Sequence, residues 1–148
     1  MNKINILIPV YNDWQSAMKL LENINLEIST LESDFSVTIV NDASTENKLE
    51  FPTDLKELKS IQIINMKKNQ GHARCNAVGL KYINEKKDFD YVIPMDGDGE
   101  DRPEELSLLI EKINEYPNTV VTANRVKRSE GFLFKLCYLN FAINFINF

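Results

Sequence analysis

The sequence is poor in the residues that build disulfide frameworks and zinc sites. It has two cysteines, Cys75 and Cys137, and a single histidine, His72, among 148 residues. The two cysteines lie far apart in the chain and lack the short spacings of metal-binding motifs. We therefore interpret them as reduced thiols in a cytoplasmic protein.

Long apolar runs and an excess of positive charge are also absent. No window reaches the roughly 18 uninterrupted apolar residues of a transmembrane helix, and the N-terminal residues run directly into a strand-like segment without a signal-peptide pattern. The formal net charge of −5 argues against general nucleic-acid binding. Repeats, low-complexity tracts and linkers are missing too, which indicates one domain with its own core.

Strand-like and helix-like segments alternate along the chain. Short runs of apolar and β-branched residues predict strands at 3–10, 35–40, 60–66, 91–95 and 119–122. Apolar residues at three- and four-residue spacings predict helices that begin after residue 13, near residue 71 and at residue 103. The alternation predicts an α/β fold with a mostly parallel sheet and helices on both faces.

Polar clusters follow directly after four of these strands, at residues 11–13, 41–44, 69–74 and 96–100. Ligands of parallel sheets bind beyond the carboxyl ends of the strands. We therefore expect the four loops to converge on one rim of the sheet.

The fourth cluster contains Asp96, Asp98 and Glu100 immediately after a predicted buried strand, and Asp101 follows it directly. Carboxylates this close repel one another, and hard oxygen donors suit Mg²⁺ or Mn²⁺, especially when a bound phosphate completes the coordination. An EF-hand calcium loop is excluded because Asp101 and Ser107 stand where it needs glycine and glutamate. The residues thus predict a metal site, with a solvated acidic loop as the alternative.

The second and third clusters suit a nucleotide diphosphate. Backbone amides at the helix start near Gly71, with Arg74 close by, can bind anions, and Asp42 can accept hydrogen bonds from a base or ribose. Each residue also has a plainer interpretation: Asp42 as a turn cap, Arg74 as a surface ion-pair partner, and His72 as a helix-start residue.

Four motifs, in this order, resemble the family 2 glycosyltransferases of GT-A fold. They read IPVYND at 8–13, IVNDAST at 39–45, NQGHARCNAVGL at 69–80 and MDGDGEDRPE at 95–104. The most similar branch is the dolichyl- or polyprenyl-phosphate sugar transferases, and the resemblance covers residues 3 to about 135. Each motif is weak alone, whereas four in order are specific.

The resemblance implies a role for individual residues. Asp96 and Asp98 would form the Asp-x-Asp pair that holds the metal, and Glu100 stands where the family has a metal-contacting glutamine. Asp98 and Arg125 would act at the phosphates during catalysis. The residues implied to hold the nucleotide are Pro9, Tyr11, Asp13 and Asp42. Gly71 and Arg74 would add the anion binding expected at the helix start, and Asp96 would lie beside the phosphates through the metal.

Three positions depart from the family pattern. Asn41 replaces the first of two usual aspartates, and Ala43 replaces a usual glycine. Glu100 adds a negative charge at the implied metal site.

The resemblance implies inverting transfer of a sugar from a nucleotide-diphospho-sugar. A hydroxyl acceptor, as on a glycan, normally needs a carboxylate base, which in this family lies in a later part of the domain that this chain lacks or barely reaches. A polyprenyl phosphate is already an anion, so we expect it to be the acceptor. The alternative is a truncated nucleotide-sugar-binding remnant without turnover, acting as a subunit or regulator. Nucleotidyltransfer is weaker, since the N-terminus lacks the Gly-rich opening of those enzymes.

The C-terminal residues 132–148, FLFKLCYLNFAINFINF, are rich in phenylalanine with asparagines on one helical face. They predict an amphipathic interfacial helix flanked by Lys127, Arg128 and Lys135. We expect a GT-A domain at 1–130 and this helix at 131–148, with peripheral contact at the inner face of the cytoplasmic membrane. Packing of the aromatic residues within the domain or against a second subunit of a homo-oligomer is the alternative.

Overall fold

The structure is a computed structural model, and it describes residues 1–122. Residues Met1–Pro117 form one compact unit, and a second unit begins at Asn118. In chain order the elements are β1 (Asn2–Val10), α1 (Trp14–Ile28), β2 (Ser33–Asn41), β3 (Leu58–Asn65), α2 (His72–Lys86), β4 (Tyr91–Pro94), a 3₁₀ turn (Pro103–Glu105) and α3 (Leu106–Glu115).

The four strands form one parallel sheet in the order β3-β2-β1-β4. The central strand β1 places Ile6 beside Val37 of β2 and Ile93 of β4. Each β-to-β crossover returns the chain to the same end of the sheet, so every strand presents its carboxyl end at one rim. The predicted parallel sheet is confirmed.

The two faces of the sheet are covered by different helices. Leu7 and Val40 face α2, where they form a buried cluster with Cys75 and Ile83. Because side chains alternate along a strand, Ile4, Ile6 and Ile8 of β1 face the other side, which α1 covers. The residues of α1 that are buried are Trp14, Ala17, Met18, Leu20, Leu21, Ile24 and Ile28, and α3 packs against α1 in turn. Helices on both faces were predicted, and this too is confirmed.

Gly79 allows α2 to approach the sheet closely. A Cβ atom at this position would overlap the side chain of Leu7 and lie 3.1 Å from Cγ2 of Val40. Leu7 and Val40 are both fully buried, so neither can move aside into solvent. Glycine is therefore required here for packing, although it weakens the helix itself.

One predicted strand is wrong. Residues Thr119–Thr122 lie within the described part of the chain but are not a strand, and Val120 is 92% exposed. Their β-branched composition favours extended backbone, but a strand also needs a ladder partner.

The substitution Gly79→Ala should lower the free energy of unfolding by about 1–3 kcal/mol because the added methyl overpacks the α2 face. In an exposed helix the same change would raise stability by about 1 kcal/mol, so the sign of the effect is diagnostic. Urea denaturation measures it, with Asn84→Ala on the exposed side of α2 as control. A more stable Gly79→Ala variant would show that the helix has room to move away.

Candidate functional site

The loops after β1, β2 and β4 and the start of α2 meet in one cleft at the rim of the sheet. The cleft has a volume of about 240 Å³. The residues that line it are Pro9, Val10, Tyr11, Asp13, Asp42, His72, Cys75, Asp96, Gly97 and Asp98. The expected convergence on one rim is thus observed.

The structure brings most, but not all, of the predicted site residues together. Those lining the cleft are Pro9, Tyr11, Asp13, Asp42, Asp96 and Asp98. Gly71, Arg74 and Glu100 are exposed near the rim but do not line the cleft. Arg125 lies outside the described residues, as do Lys127, Arg128 and the predicted helix at 131–148. The roles of all these residues stay predictions.

Asn12 ties the first loop to the second. Its Oδ1 accepts hydrogen bonds from the backbone N–H groups of Thr45, at 2.7 Å, and Glu46, at 3.2 Å. Its own N–H donates to Oγ of Ser44 at 3.0 Å. Asn12 has a φ of +53°, a left-handed conformation that asparagine tolerates better than most residues. Hydrogen bonds therefore join the loops after β1 and β2.

Asp13 both caps α1 and lines the cleft. Its side chain accepts a hydrogen bond from the N–H of Ser16 at 3.2 Å and so caps α1. It also lines the cleft beside Tyr11, whose residue is 49% exposed. The tyrosine ring is thus available to a ligand, while the aspartate is partly committed to the helix.

Asp42 ties the second loop to the third. Its Oδ1 accepts from the N–H of Gln70 and its Oδ2 from the N–H of Gly71, both at 2.8 Å. Its own N–H donates to the carbonyl of Val10 at 2.8 Å, and only 3% of the residue is exposed. Asp42 therefore holds the loop before α2 in position. The sequence did not predict this structural role.

Cys75 lies one turn into α2 and packs under Asp42. The thiol is fully buried, and burial together with a hydrogen bond to Asp42 raises its pKa to about 12. It therefore stays protonated at neutral pH and donates to the carboxylate rather than acting as a nucleophile.

The departures Asn41 and Ala43 have visible structural consequences. The Oδ1 of Asn41 accepts from the N–H of Ser44, and its Nδ2 donates to Oδ1 of Asn65, each at 2.9 Å. An aspartate could not donate, so the amide links the ends of β2 and β3. Ala43 has a φ of +58°, where an L-residue is strained by about 1–2 kcal/mol and glycine is not.

His72 is the first residue of α2, as the plainer interpretation held, but it also lines the cleft. Its Nε2 lies 3.4 Å from Oδ1 of Asp96 and 2.8 Å from Nδ2 of Asn76. This contact joins the third loop to the fourth. The sequence signal for it was the position of the only histidine, directly after Gly71 at the start of α2.

The acidic loop folds back on itself and packs tightly against β1. The N–H of Asp96 donates to Oδ2 of Asp101 at 2.7 Å, and that of Glu100 to Oδ1 of Asp98 at 2.9 Å. A Cβ atom at Gly97 would stand 3.0 Å from the carbonyl of Pro9. Glycine at this position therefore allows Asp96 and Asp98 to reach the cleft.

The electrostatics of the loop suit a cation only in part. Burial raises the pKa of Asp96, the carboxylates of Asp101, Asp98 and Glu100 raise it further, and His72 acts in the opposite direction. A cation would relieve that repulsion. Within residues 1–122, however, no three His, Cys, Asp or Glu side chains converge closely enough to hold a metal. Asp96 and Asp98 fit a metal whose remaining ligands are phosphate oxygens and water, and the metal contact of Glu100 stays a prediction.

Phosphate binding by Arg74 stays a prediction. Its N–H donates to the carbonyl of Gly71 at 3.1 Å, and its guanidinium has no ion-pair partner among residues 1–122. The surface salt bridge offered as an alternative is therefore not found in the described part.

The family model described as glycosyl transferase family 2 matches residues 5–142 of the chain. The chain belongs to this family. The match confirms the resemblance on which the sequence interpretation rested, and it extends across all four rim motifs.

Two curated relatives are undecaprenyl-phosphate 4-deoxy-4-formamido-L-arabinose transferases. The protein of Proteus mirabilis is 27% identical over 131 residues, which are 88% of this chain and 40% of that protein. The protein of Klebsiella pneumoniae is 24% identical over 132 residues, which are 88% of this chain and 39% of that protein. The family 2 chain described here thus spans about two fifths of the length of these relatives.

Solved structures of S. aureus TarS share the fold. The structure of TarS matches with a TM-score of 0.57 at 19% identity, over 85% of this chain and 24% of that one. TarS 1–349 in complex with UDP-GlcNAc matches with a TM-score of 0.56 at 20% identity, over 86% and 37%. The predicted GT-A fold is confirmed. Among the helices of the described part, none has the length and apolar character needed to cross a bilayer.

The substitution Asp42→Asn should lower the free energy of unfolding by about 2–3 kcal/mol, because the new amide would face a backbone N–H donor in the buried site. Asp54→Asn is the matched control, since the Asp54 side chain is 79% exposed and within residues 1–122 pairs with Lys56 alone; it should change stability by less than about 0.5 kcal/mol. Urea denaturation compares the two. Equal stability of both variants would show that the Asp42 bonds do not hold the rim.

Proposed function

We propose that the protein is a metal-dependent, inverting glycosyltransferase that moves a sugar from a nucleotide-diphospho-sugar to a polyprenyl phosphate. The observation that carries the proposal is the single cleft in which Tyr11, Asp42, Asp96 and Asp98 meet. Family membership supports glycosyl transfer as the reaction, and the contacts among the loops support a preformed site.

The donor nucleotide would lie over the ends of β1 and β2. Tyr11 is half exposed at this point and offers a ring face to a base. Asp42 is nearly buried with both oxygens already accepting backbone bonds. We therefore infer that Asp42 serves the nucleotide mainly by holding Gln70 and Gly71 in place, and that a direct contact would use its remaining lone pairs.

Asp96 and Asp98 would hold Mg²⁺ or Mn²⁺ against the diphosphate. When bound, such a metal neutralises the negative charge that develops on the departing nucleoside diphosphate. The chain itself supplies the two carboxylates and the imidazole of His72, whose Nε2 lies 3.4 Å from Oδ1 of Asp96. A metal held mostly by phosphate oxygens agrees with the lack of a three-residue cluster in the described part.

A polyprenyl phosphate acceptor is supported by two considerations. The named relatives from P. mirabilis and K. pneumoniae are undecaprenyl-phosphate transferases. A phosphate oxygen is already anionic, so the attack on the anomeric carbon needs no general base from the protein. We place the reaction at the inner face of the cytoplasmic membrane, with residues 132–148 as the proposed contact.

The second candidate is a nucleotide-sugar-binding protein without turnover. It is favoured by one observation, that the predicted site residues lining the cleft are those expected to hold the nucleotide and the metal. Binding is therefore expected under both proposals, and acceptor-dependent turnover under only one.

Binding of UDP or GDP with Mn²⁺ should raise the melting temperature by roughly 8 °C at a hundredfold excess over Kd, because the ligand binds only the folded state. Asp98→Asn should remove the metal-dependent part of this shift. Asp88→Asn is the control, since the Asp88 side chain is 70% exposed and, in the described part of the chain, pairs with Lys3 alone. Failure of every nucleotide to shift the melting temperature would contradict both proposals.

Release of nucleoside diphosphate then separates the two candidates. With a panel of sugar nucleotides, we expect release that depends on added polyprenyl phosphate. Nucleotide binding without such release would assign the chain to the second candidate.

A further inference from the structure

A second cavity lies beside the nucleotide cleft and shares one residue with it. Its volume is about 440 Å³, within the range of roughly 300–1,000 Å³ that small-molecule sites occupy. We name it the α1 groove and define it by Gln15, Lys19, Asn23, Asp98, Arg102 and Glu104. Asp98 lines both the groove and the cleft.

The two walls of the groove come from elements that the fold holds in place. Gln15, Lys19 and Asn23 follow one another at four-residue intervals, so they share one face of α1. The opposite wall is the chain from Asp98 to Glu104, which the bond from the N–H of Asp96 to Asp101 folds back. The groove is therefore preformed.

The side chains of the groove have unused hydrogen-bonding capacity. Within residues 1–122, those of Gln15, Asn23 and Arg102 make neither a hydrogen bond nor an ion pair. Lys19 pairs with Glu22 at 3.0 Å, but both side chains are about half exposed or more, at 68% and 46%. Such a surface pair is worth less than about 1 kcal/mol and is easily exchanged for a ligand contact.

The charges of the groove select the ligand. Lys19 and Arg102 are outnumbered by three carboxylates, those of Asp98, Asp101 and Glu104. An isolated anion such as a lipid phosphate is therefore disfavoured. Sugar hydroxyls both donate and accept, so they suit a mixture of amide, guanidinium and carboxylate groups.

We propose that the α1 groove binds the sugar of the donor. The inference rests on the proposed function, in which Asp98 lies at the metal and diphosphate. Because the sugar is bonded directly to that diphosphate, a nucleotide in the cleft directs its sugar past Asp98 into the groove. Gln15, Asn23 and Arg102 then select which sugar is accepted.

Calorimetric titration with Mn²⁺ present compares UDP with UDP-N-acetylglucosamine, and GDP with GDP-mannose in parallel. Asn23→Leu, which fills the groove, should weaken binding of the sugar nucleotide by about tenfold and leave the nucleoside diphosphate within about twofold. Arg102→Gln, at an exposed position, should act in the same direction and guards against misfolding of the first variant. Asn84→Leu makes the same substitution on an exposed position of α2 and should change neither affinity.

Each other outcome overturns the inference in a recognisable way. If the wild type and both variants bind the sugar nucleotide with equal affinity, the sugar does not bind in the α1 groove. A variant that changes only the KM for polyprenyl phosphate would assign the groove to the acceptor. Failure of the wild-type chain to bind UDP or GDP at all would instead overturn the proposed function, on which the inference rests.

Discussion

The cleft depends on the hydrogen bonds that the carboxylate of Asp42 accepts from the backbone of Gln70 and Gly71. Asp42 lies at the end of β2, is almost fully buried, and accepts two backbone N–H groups from the loop that precedes α2. The free energy of burying a carboxylate is recovered only when its oxygens are hydrogen-bonded. The loop must therefore keep one conformation, and the first turn of α2 is oriented by it.

From Asp42 the contacts extend in both directions around the rim. Asn12 joins the loops after β1 and β2, and His72 joins the start of α2 to Asp96. Glycine has a steric role at two places in the fold: Gly97 lies against the carbonyl of Pro9 at the rim, and Gly79 lets the middle of α2 approach Leu7. The site is thus assembled by hydrogen bonds between loops on a sheet whose strands all point the same way, which favours a preorganised ligand site.

The sequence was sufficient for the architecture because periodicity and strand-end polarity are local signals. The run KINILIPV predicted β1, and the apolar stripe of α1 was buried as expected. It was not sufficient for contacts between distant residues, such as Asp42 with Gln70 and His72 with Asp96, because these depend on the packed positions of two elements. The strand predicted at Thr119–Thr122 is wrong for a related reason, because strand propensity alone does not provide a neighbouring strand to pair with.

The central claim is that the rim cleft is the donor nucleotide site, and mapping of backbone amide chemical shifts on addition of UDP and Mg²⁺ tests it most directly. The account predicts that the largest changes occur at Asn12, Ser44, Gly71 and Gly97, on the four loops that meet there. Changes concentrated on the far ends of α2 and α3, with the rim amides unchanged, would contradict it.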